Sequence, residues 1–282
     1  KDSGEVVAMT GDGVNDAPAL KASDIGVALD SGSDITKETA DLILMDNSFS
    51  IITEAIREGR IAFSNIRKVA VFLLSNSFTE IIVILAAIVF NTSFLPITAV
   101  MILWANLVED TFPNFALAFE PGEPNIMKQP PISEKEPILD KQGLAIIFII
   151  GILSDLMLVG IFGYLLNFTD FTPEHIQTII FTILATNSLF IVFAIKSHDA
   201  SIFKTKMTDN PYLLFAVGIG LIIMGLSIYA PPLQALLGTV PLSGMEIVYI
   251  TIILISQVLL IEAAKWFFRR GNILGFDNIP GR

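Results

Sequence analysis

Apolar and polar positions divide the chain into two unlike parts. Up to about residue 68, short apolar stretches (EVVAM at 5–9, IGVAL at 25–29, ADLILM at 40–45) are separated by polar, Gly- and Asp-containing segments. Strands alternating with short helices predict a small parallel α/β sheet. A helix rich in Glu and Arg is predicted from about residue 50 to 67, running on into the next apolar stretch. From there the chain breaks into six long apolar runs, at 69–91, 96–118, 143–166, 176–195, 211–229 and 247–267. Each is roughly 20 residues long, enough to cross about 30 Å of hydrocarbon. The predicted fold class is thus a partial parallel α/β sheet followed by an all-α six-helix transmembrane bundle. Its divisions are a front segment 1–60, a stalk helix continuing to 68, a membrane domain 69–267 and a short tail 268–282.

Charge fixes the expected orientation. Arg57, Arg60, Arg67 and Lys68 precede the first run, and Lys128, Lys135 and Lys141 lie between the second and third. Lys196, Lys204 and Lys206 lie between the fourth and fifth, and Lys265, Arg269, Arg270 and Arg282 close the chain, whereas 92–95, 167–175 and 230–246 hold no Lys or Arg. Positive-inside bias therefore places the front segment, the basic loops and both ends in the cytoplasm. Composition agrees: 53% of the residues are hydrophobic and 16% charged, too little polar surface to cover a soluble core. No basic stripe offsets the net charge of −11, which argues against nucleic acid as a partner. Cysteine is absent, which excludes disulfides and thiolate-bound metals. Short loops and a short tail fit a bacterial plasma membrane. Because the chain starts with Lys1, just before a strand, it is expected to be cut from a larger protein.

Residues 10–20 read TGDGVNDAPAL. A strand ending in a Gly-rich turn with two aspartates four apart can hold Mg²⁺ near a phosphate. Gly11 and Gly13 let the backbone approach closely, Asp12 and Asp16 offer hard oxygen ligands, and Asn15 can donate an amide hydrogen to a phosphate oxygen. A bare GDG is equally a solvated acidic turn.

Five carboxylates fall inside the runs: Glu80, Glu109, Asp110, Asp155 and Glu262. Such residues are rare because each is costly unless paired or hydrated. Glu262 lies near Lys265 and Arg269 and reads as a snorkelling surface group. Asp155, beside Ser154, could pair with Asn187 in the next run, for structural or functional ends. Asn76 and Glu80 are four apart, with Ser77 between them. Asn106, Glu109 and Asp110 are spaced i, i+3, i+4 and share one side of a helix. Pro113 removes a backbone hydrogen bond nearby, and a broken helix frees carbonyls for a cation. These groups predict an oxygen-rich cage for a hard cation, or else a polar network that only fixes helix register.

The string TGDGVNDAPALKASDIGVAL resembles the hinge signature of the P-type ATPases, within the haloacid dehalogenase superfamily. LLSNSFTEIIVI and LWANLVEDTFPNFALAFEPGEPNIMKQPP resemble the fifth and sixth transmembrane segments of the Ca²⁺- and Na⁺/K⁺-type pumps. By that resemblance residues 1–60 are the end of the phosphorylation domain, Asp12 ligates the Mg²⁺ that neutralises the phosphoryl group, Asn15 and Asp16 help hold the phosphorylation site, and Thr10 and Gly11 shape the loop. Glu80, Asn106 and Asp110 fall on calcium-pump ligands. Ser77 stands where an asparagine is usual and Glu109 where the reticulum-type pump has threonine. ILATNSLF, carrying Asn187 and Ser188, lacks a further glutamate, so one of two reticulum-type sites is altered. The acceptor aspartate of that family sits in an upstream Asp-Lys-Thr-Gly-Thr motif that this chain does not contain.

The resemblance implies a Ca²⁺-transporting P-type ATPase that uses ATP and Mg²⁺ and has the lipid membrane and the pump's N-terminal domains as partners. Carboxylates that release the cation are expected to take protons back, since bare buried carboxylates repel one another. The 282 residues alone are not expected to turn over ATP. A Na⁺, K⁺ or H⁺ pump, a membrane-tethered phosphatase and a noncatalytic cation-binding bundle are the alternatives; the strand at 5–9 supplies no nucleophilic aspartate for the phosphatase.

Overall fold

The structure, a computed structural model, describes residues 1–271 apart from 3, 47, 49, 133–136, 140 and 197–205. Of the expected tail, 272–282 lies outside the described residues. The chain divides into two compact units, Lys1–Ile61 with Gly122–Glu136, and Ala62–Pro121 with Pro137–Arg282.

The first unit contains a parallel sheet ordered β1 (Ala8–Gly11), β2 (Ile25–Leu29) and β3 (Leu42–Leu44). The crossovers carry α1 (Ala17–Ala22), with Pro18 in its first turn where no N–H is needed, and α2 (Asp34–Thr39), capped by the Ser33 hydroxyl. Leu20, Val27, Ala28 and Leu44 form the small core. Residues 122–132 return to this unit, where Arg60 donates to the carbonyls of Ile126 and Gln129, at 2.8 and 2.7 Å.

Helix α3 runs unbroken from Ser50 to Val89, 40 residues or about 60 Å. Its polar first half continues directly into the first apolar run, as the sequence predicts. The second run is not one helix. It is α4 (Ala99–Trp104), a π-helical turn (Ala105–Glu109) and α5 (Thr111–Ala118). The remaining runs form α6 (Lys141–Phe168), α7 (Pro173–Lys196), α8 (Pro211–Tyr229) and α10 (Gly244–Gly271), with a short α9 (Pro231–Leu237) ended by the left-handed Gly238. Among the described residues five helices are long and apolar enough to span a membrane, so the chain is an integral, multi-pass membrane protein; the interrupted pair α4–α5 covers the second predicted run, 96–118.

The buried apolar side chains of the second unit form two separate clusters. One includes Val83, Leu158, Ile183 and Leu254; the other includes Phe72, Ile147, Leu189 and Ile261. Between them four of the helices turn polar: Ser75, Asn76, Thr79 and Glu80 on α3, Ser154 and Asp155 on α6, Asn187 and Ser188 on α7, Gln257 on α10. α7, which the rest of the bundle surrounds, is buried along most of its length.

At one end of the bundle a buried network ties the connections together. Lys196 Nζ lies 3.3 Å from Glu120 Oε1, both side chains about 5% exposed. Asn210 donates to Glu120 Oε2 at 2.8 Å and to the Ala116 carbonyl, while Asn65 donates to the Glu120 carbonyl, also at 2.8 Å. At the other end His175 Nε2 meets Glu246 Oε1 at 2.6 Å. Glu262, expected at the surface, is buried instead; the side chains of Lys265 and Arg269 lie outside the described residues.

Removing one member of a buried ion pair leaves the other uncompensated. Glu120→Ala is expected to destabilise the protein by about 3 kcal/mol, read by thermal or denaturant unfolding in detergent. The double change Glu120→Leu, Lys196→Met is expected to recover much of that loss; a single substitution without effect would show that the pair is hydrated.

Candidate functional site

The loop after β1 is shaped by Asp16. Its Oδ2 accepts the backbone N–H groups of Asp12 at 3.1 Å and Gly13 at 3.0 Å. A Cβ on Gly11 would lie 2.5 Å from the Asp16 Cβ, so this close approach requires glycine. A second layer supports the turn: the fully buried Thr36 donates its hydroxyl to the Gly13 carbonyl at 2.8 Å, and Ser33 N–H donates to the Asp12 carbonyl at 2.9 Å. Thr10 is held in β1 opposite Val27, and Asn15 is exposed.

The two aspartates that look equivalent in sequence therefore differ. Asp16 spends a carboxylate oxygen on the loop's own amides, whereas the Asp12 side chain is exposed at the sheet's C-terminal edge. An exposed carboxylate beside a glycine-lined turn fits Mg²⁺, a hard cation that keeps several waters and takes one or two carboxylates. Asp16 serves as the brace of that turn. Ser33 and Thr36 escaped the sequence reading because their backbone partners lie about twenty residues away; only the S-x-x-T cap pattern marks them.

In the bundle, Asn106 Nδ2 donates to Glu80 Oε1 at 2.6 Å, joining the π turn to α3. Asp110 is 8% exposed, with the Ser188 hydroxyl and the Asn76 amide beside its carboxylate and the Glu80 charge near enough to be felt. Asn76 Nδ2 lies buried without a partner at ordinary hydrogen-bond geometry. Three separate elements, α3, the π turn and α7, thus bring oxygens to one place. Ser77 is not among them: it is exposed and donates to the Leu73 carbonyl of its own helix. The side chain of Glu109 lies outside the described residues.

The helix breaks one turn earlier than Pro113 suggests. Asp110 N–H bonds the Ala105 carbonyl at 3.0 Å, an i to i+5 step, and Thr111 donates its hydroxyl to the Asn106 carbonyl at 3.3 Å. This widened turn sets Asn106 and Asp110 on either side of the bulge, and π bulges recur at functional sites. Pro113 adds to the break by offering no N–H to the Glu109 carbonyl.

Asp155 does not pair with Asn187. Its carboxylate faces Thr79, yet neither oxygen reaches hydrogen-bond geometry, and Asn187 Oδ1 is likewise unpartnered.

Residues 94–267 match the family described as cation transporting ATPase, C-terminus, and residues 2–56 match haloacid dehalogenase-like hydrolases. The chain is 34% identical to calcium-transporting ATPase 1 of Bacillus cereus over 93% of its length and 31% of the relative's. It is 38% identical to the calcium-transporting ATPase of Bacillus subtilis over 86% of the chain and 27% of the relative. With the human calcium-transporting ATPase type 2C member 2 it shares 36% identity over 94% of the chain and 28% of the relative. It spans less than a third of the length of these curated relatives. The chain belongs to the cation-transporting ATPase family, in which a haloacid dehalogenase-like segment here leads into the family's C-terminal membrane region.

Proposed function

We propose that this chain is the C-terminal part of an ATP-driven pump that moves Ca²⁺ across a membrane through an aspartyl-phosphate intermediate. The observation that carries this reading is the convergence of the half-buried Glu80, the exposed Asn106 and the buried Asp110 on one place among the apolar helices. Carboxylate, amide and hydroxyl oxygens with no basic partner among the described residues suit a hard divalent cation, and the relatives named above are calcium-transporting. Glu109, by position on the π turn, adds a further carboxylate to this candidate set, and Asn76 an amide; the exposed Ser77 is the weakest candidate.

In the first unit, Asp12 would hold Mg²⁺, which supplies charge neutralisation at the phosphoryl group. Asp16 keeps the Asp12 and Gly13 amides in place, Gly11 leaves the room that Asp16 needs, Asn15 presents its amide to the phosphate, and Thr10 anchors the loop in the sheet. The acceptor aspartate and most of the ATP site belong to the upstream part of the pump. Because α3 runs unbroken from Ser50 to Val89, a tilt imposed on its first half reaches Glu80, which changes access to the cation. Both ends of the chain are proposed to be cytoplasmic.

In the complete pump, Ca²⁺-stimulated ATP hydrolysis is expected to lose apparent Ca²⁺ affinity in Glu80→Gln and Asp110→Asn. Asn106→Ala, which frees the Glu80 carboxylate it holds, is expected to cost on the order of 10–100-fold. Unchanged Ca²⁺ dependence in both carboxylate variants, or stimulation by Na⁺ or K⁺ in place of Ca²⁺, would overturn the assignment.

For the loop, Asp12→Asn is expected to abolish phosphoenzyme formation from ATP while Ca²⁺ binding persists. Gly11→Ala should also impair it, by driving Asp16 off the two amides it holds. Normal phosphoenzyme levels in Gly11→Ala would remove the close approach from the mechanism.

A further inference from the structure

The polar layer between the two apolar clusters holds a second group of oxygens that the Glu80 site does not use. Asp155 is 1% exposed, and neither of its carboxylate oxygens has a hydrogen-bond partner. The Ser154 Oγ, Asn187 Oδ1 and Gln257 Oε1 atoms are also buried and unpartnered, and each residue lies along its helix between members of the two apolar clusters. Their helices, α6, α7 and α10, pack against one another, and Thr79 of α3 faces the Asp155 carboxylate. One helical turn beyond Asp155 lies Leu158 of the first apolar cluster, and Ile147 of the second lies two turns before it. Among the described residues no ion pair reaches Asp155.

Five of these buried atoms can accept a hydrogen bond and none receives one, although Thr79, Ser154, Asn187 and Gln257 each also carry a donor group. An ionised carboxylate left so would be prohibitively costly in an apolar bundle. A proton on Asp155 removes its charge but gives the layer only one additional donor. A metal cation satisfies several oxygens at once. The chemistry also selects the ion: one carboxylate among neutral hydroxyl and amide oxygens balances a single positive charge.

Asp155 is also distinct from the Glu80 site while sharing its walls. Neighbouring residues on a helix point about 100° apart. On α3, Glu80 meets Asn106 while Thr79 meets Asp155; on α7, Ser188 lies beside Asp110 while Asn187 belongs to the unpartnered group. We propose that Asp155, with Thr79, Ser154, Asn187 and Gln257, forms a second cation site that takes a dehydrated monovalent metal ion, Na⁺ or K⁺.

The site is read without ATP and with Ca²⁺ chelated, so its outcome is independent of whether the pump moves calcium. The complete pump, purified in detergent, is titrated with NaCl, KCl or choline chloride at equal ionic strength, following the thermal unfolding midpoint and equilibrium binding of radioactive Na⁺. Saturable binding with a rise in midpoint over choline is expected in the wild type and in Glu80→Gln. The response should vanish in Asp155→Asn, and weaken about tenfold, roughly 1.4 kcal/mol, in Asn187→Ala and Gln257→Ala. Identical behaviour in all three salts would overturn the proposal and leave the layer to a proton or to water. So would a response that survives Asp155→Asn, or one that Glu80→Gln removes, since either places the ion elsewhere. Should Asp155→Asn fail to fold, the wild-type salt comparison and the two amide variants decide the matter alone.

Discussion

A carboxylate inside a membrane protein must be neutralised or hydrogen-bonded, and the bundle is organised around that requirement. Two apolar clusters supply the packing, and a single layer between them concentrates the polar side chains of α3, the π turn, α6, α7 and α10. Spreading the same groups along the helices would leave each to be satisfied alone. Gathering them lets Asn106 serve Glu80 and sets Ser188 and Asn76 beside Asp110. Asp110 and Asp155 are buried in that layer, which strengthens the electrostatic interactions they make, whereas Glu80 is half-buried and Asn106 exposed.

The interrupted second span follows from the same constraint. A regular helix satisfies its own backbone and offers a ligand nothing but side chains. The i to i+5 step at Asp110 widens the turn and rotates Asn106 towards α3, while the Asn106 carbonyl takes the Thr111 hydroxyl in place of a regular backbone donor. Continuous α3 and α7 hold the walls on either side, so the irregular element is supported by regular ones. The buried Glu120–Lys196–Asn210 network does the corresponding work where the spans leave the bundle, fixing the chain just after α5 to the end of α7 and the start of α8.

Much of this was legible in the residues. The switch from short alternating stretches to runs of about twenty apolar residues gave both the sheet and the spans, because length and periodicity alone separate those classes. The charges between runs marked the connections. What could not be read was anything set by a partner distant in sequence. Asp12 and Asp16 are interchangeable in TGDGVNDAPAL until Asp16 is seen folding back on the amides of Asp12 and Gly13. Pro113 advertised a break that the backbone takes at Ala105–Glu109. Glu262 looked like a surface group beside Lys265 and Arg269, yet its helix carries it into the interior. Gln257 drew no notice, since a lone glutamine in an apolar run is unremarkable until its depth matches Asp155.

That matching depth has a mechanical consequence for the proposed pump. Thr79 and Glu80 are consecutive on α3, and Asn187 and Ser188 are consecutive on α7, so each helix belongs to both oxygen groups at once. A small rotation of α3 that withdraws Glu80 from Asn106 must also move Thr79 relative to Asp155. Neither group can be rearranged independently while these helices remain straight, and α3 is unbroken across the whole layer. The two sites would then be linked through a rigid element whose orientation both bias, which is the physical condition for coupling between them.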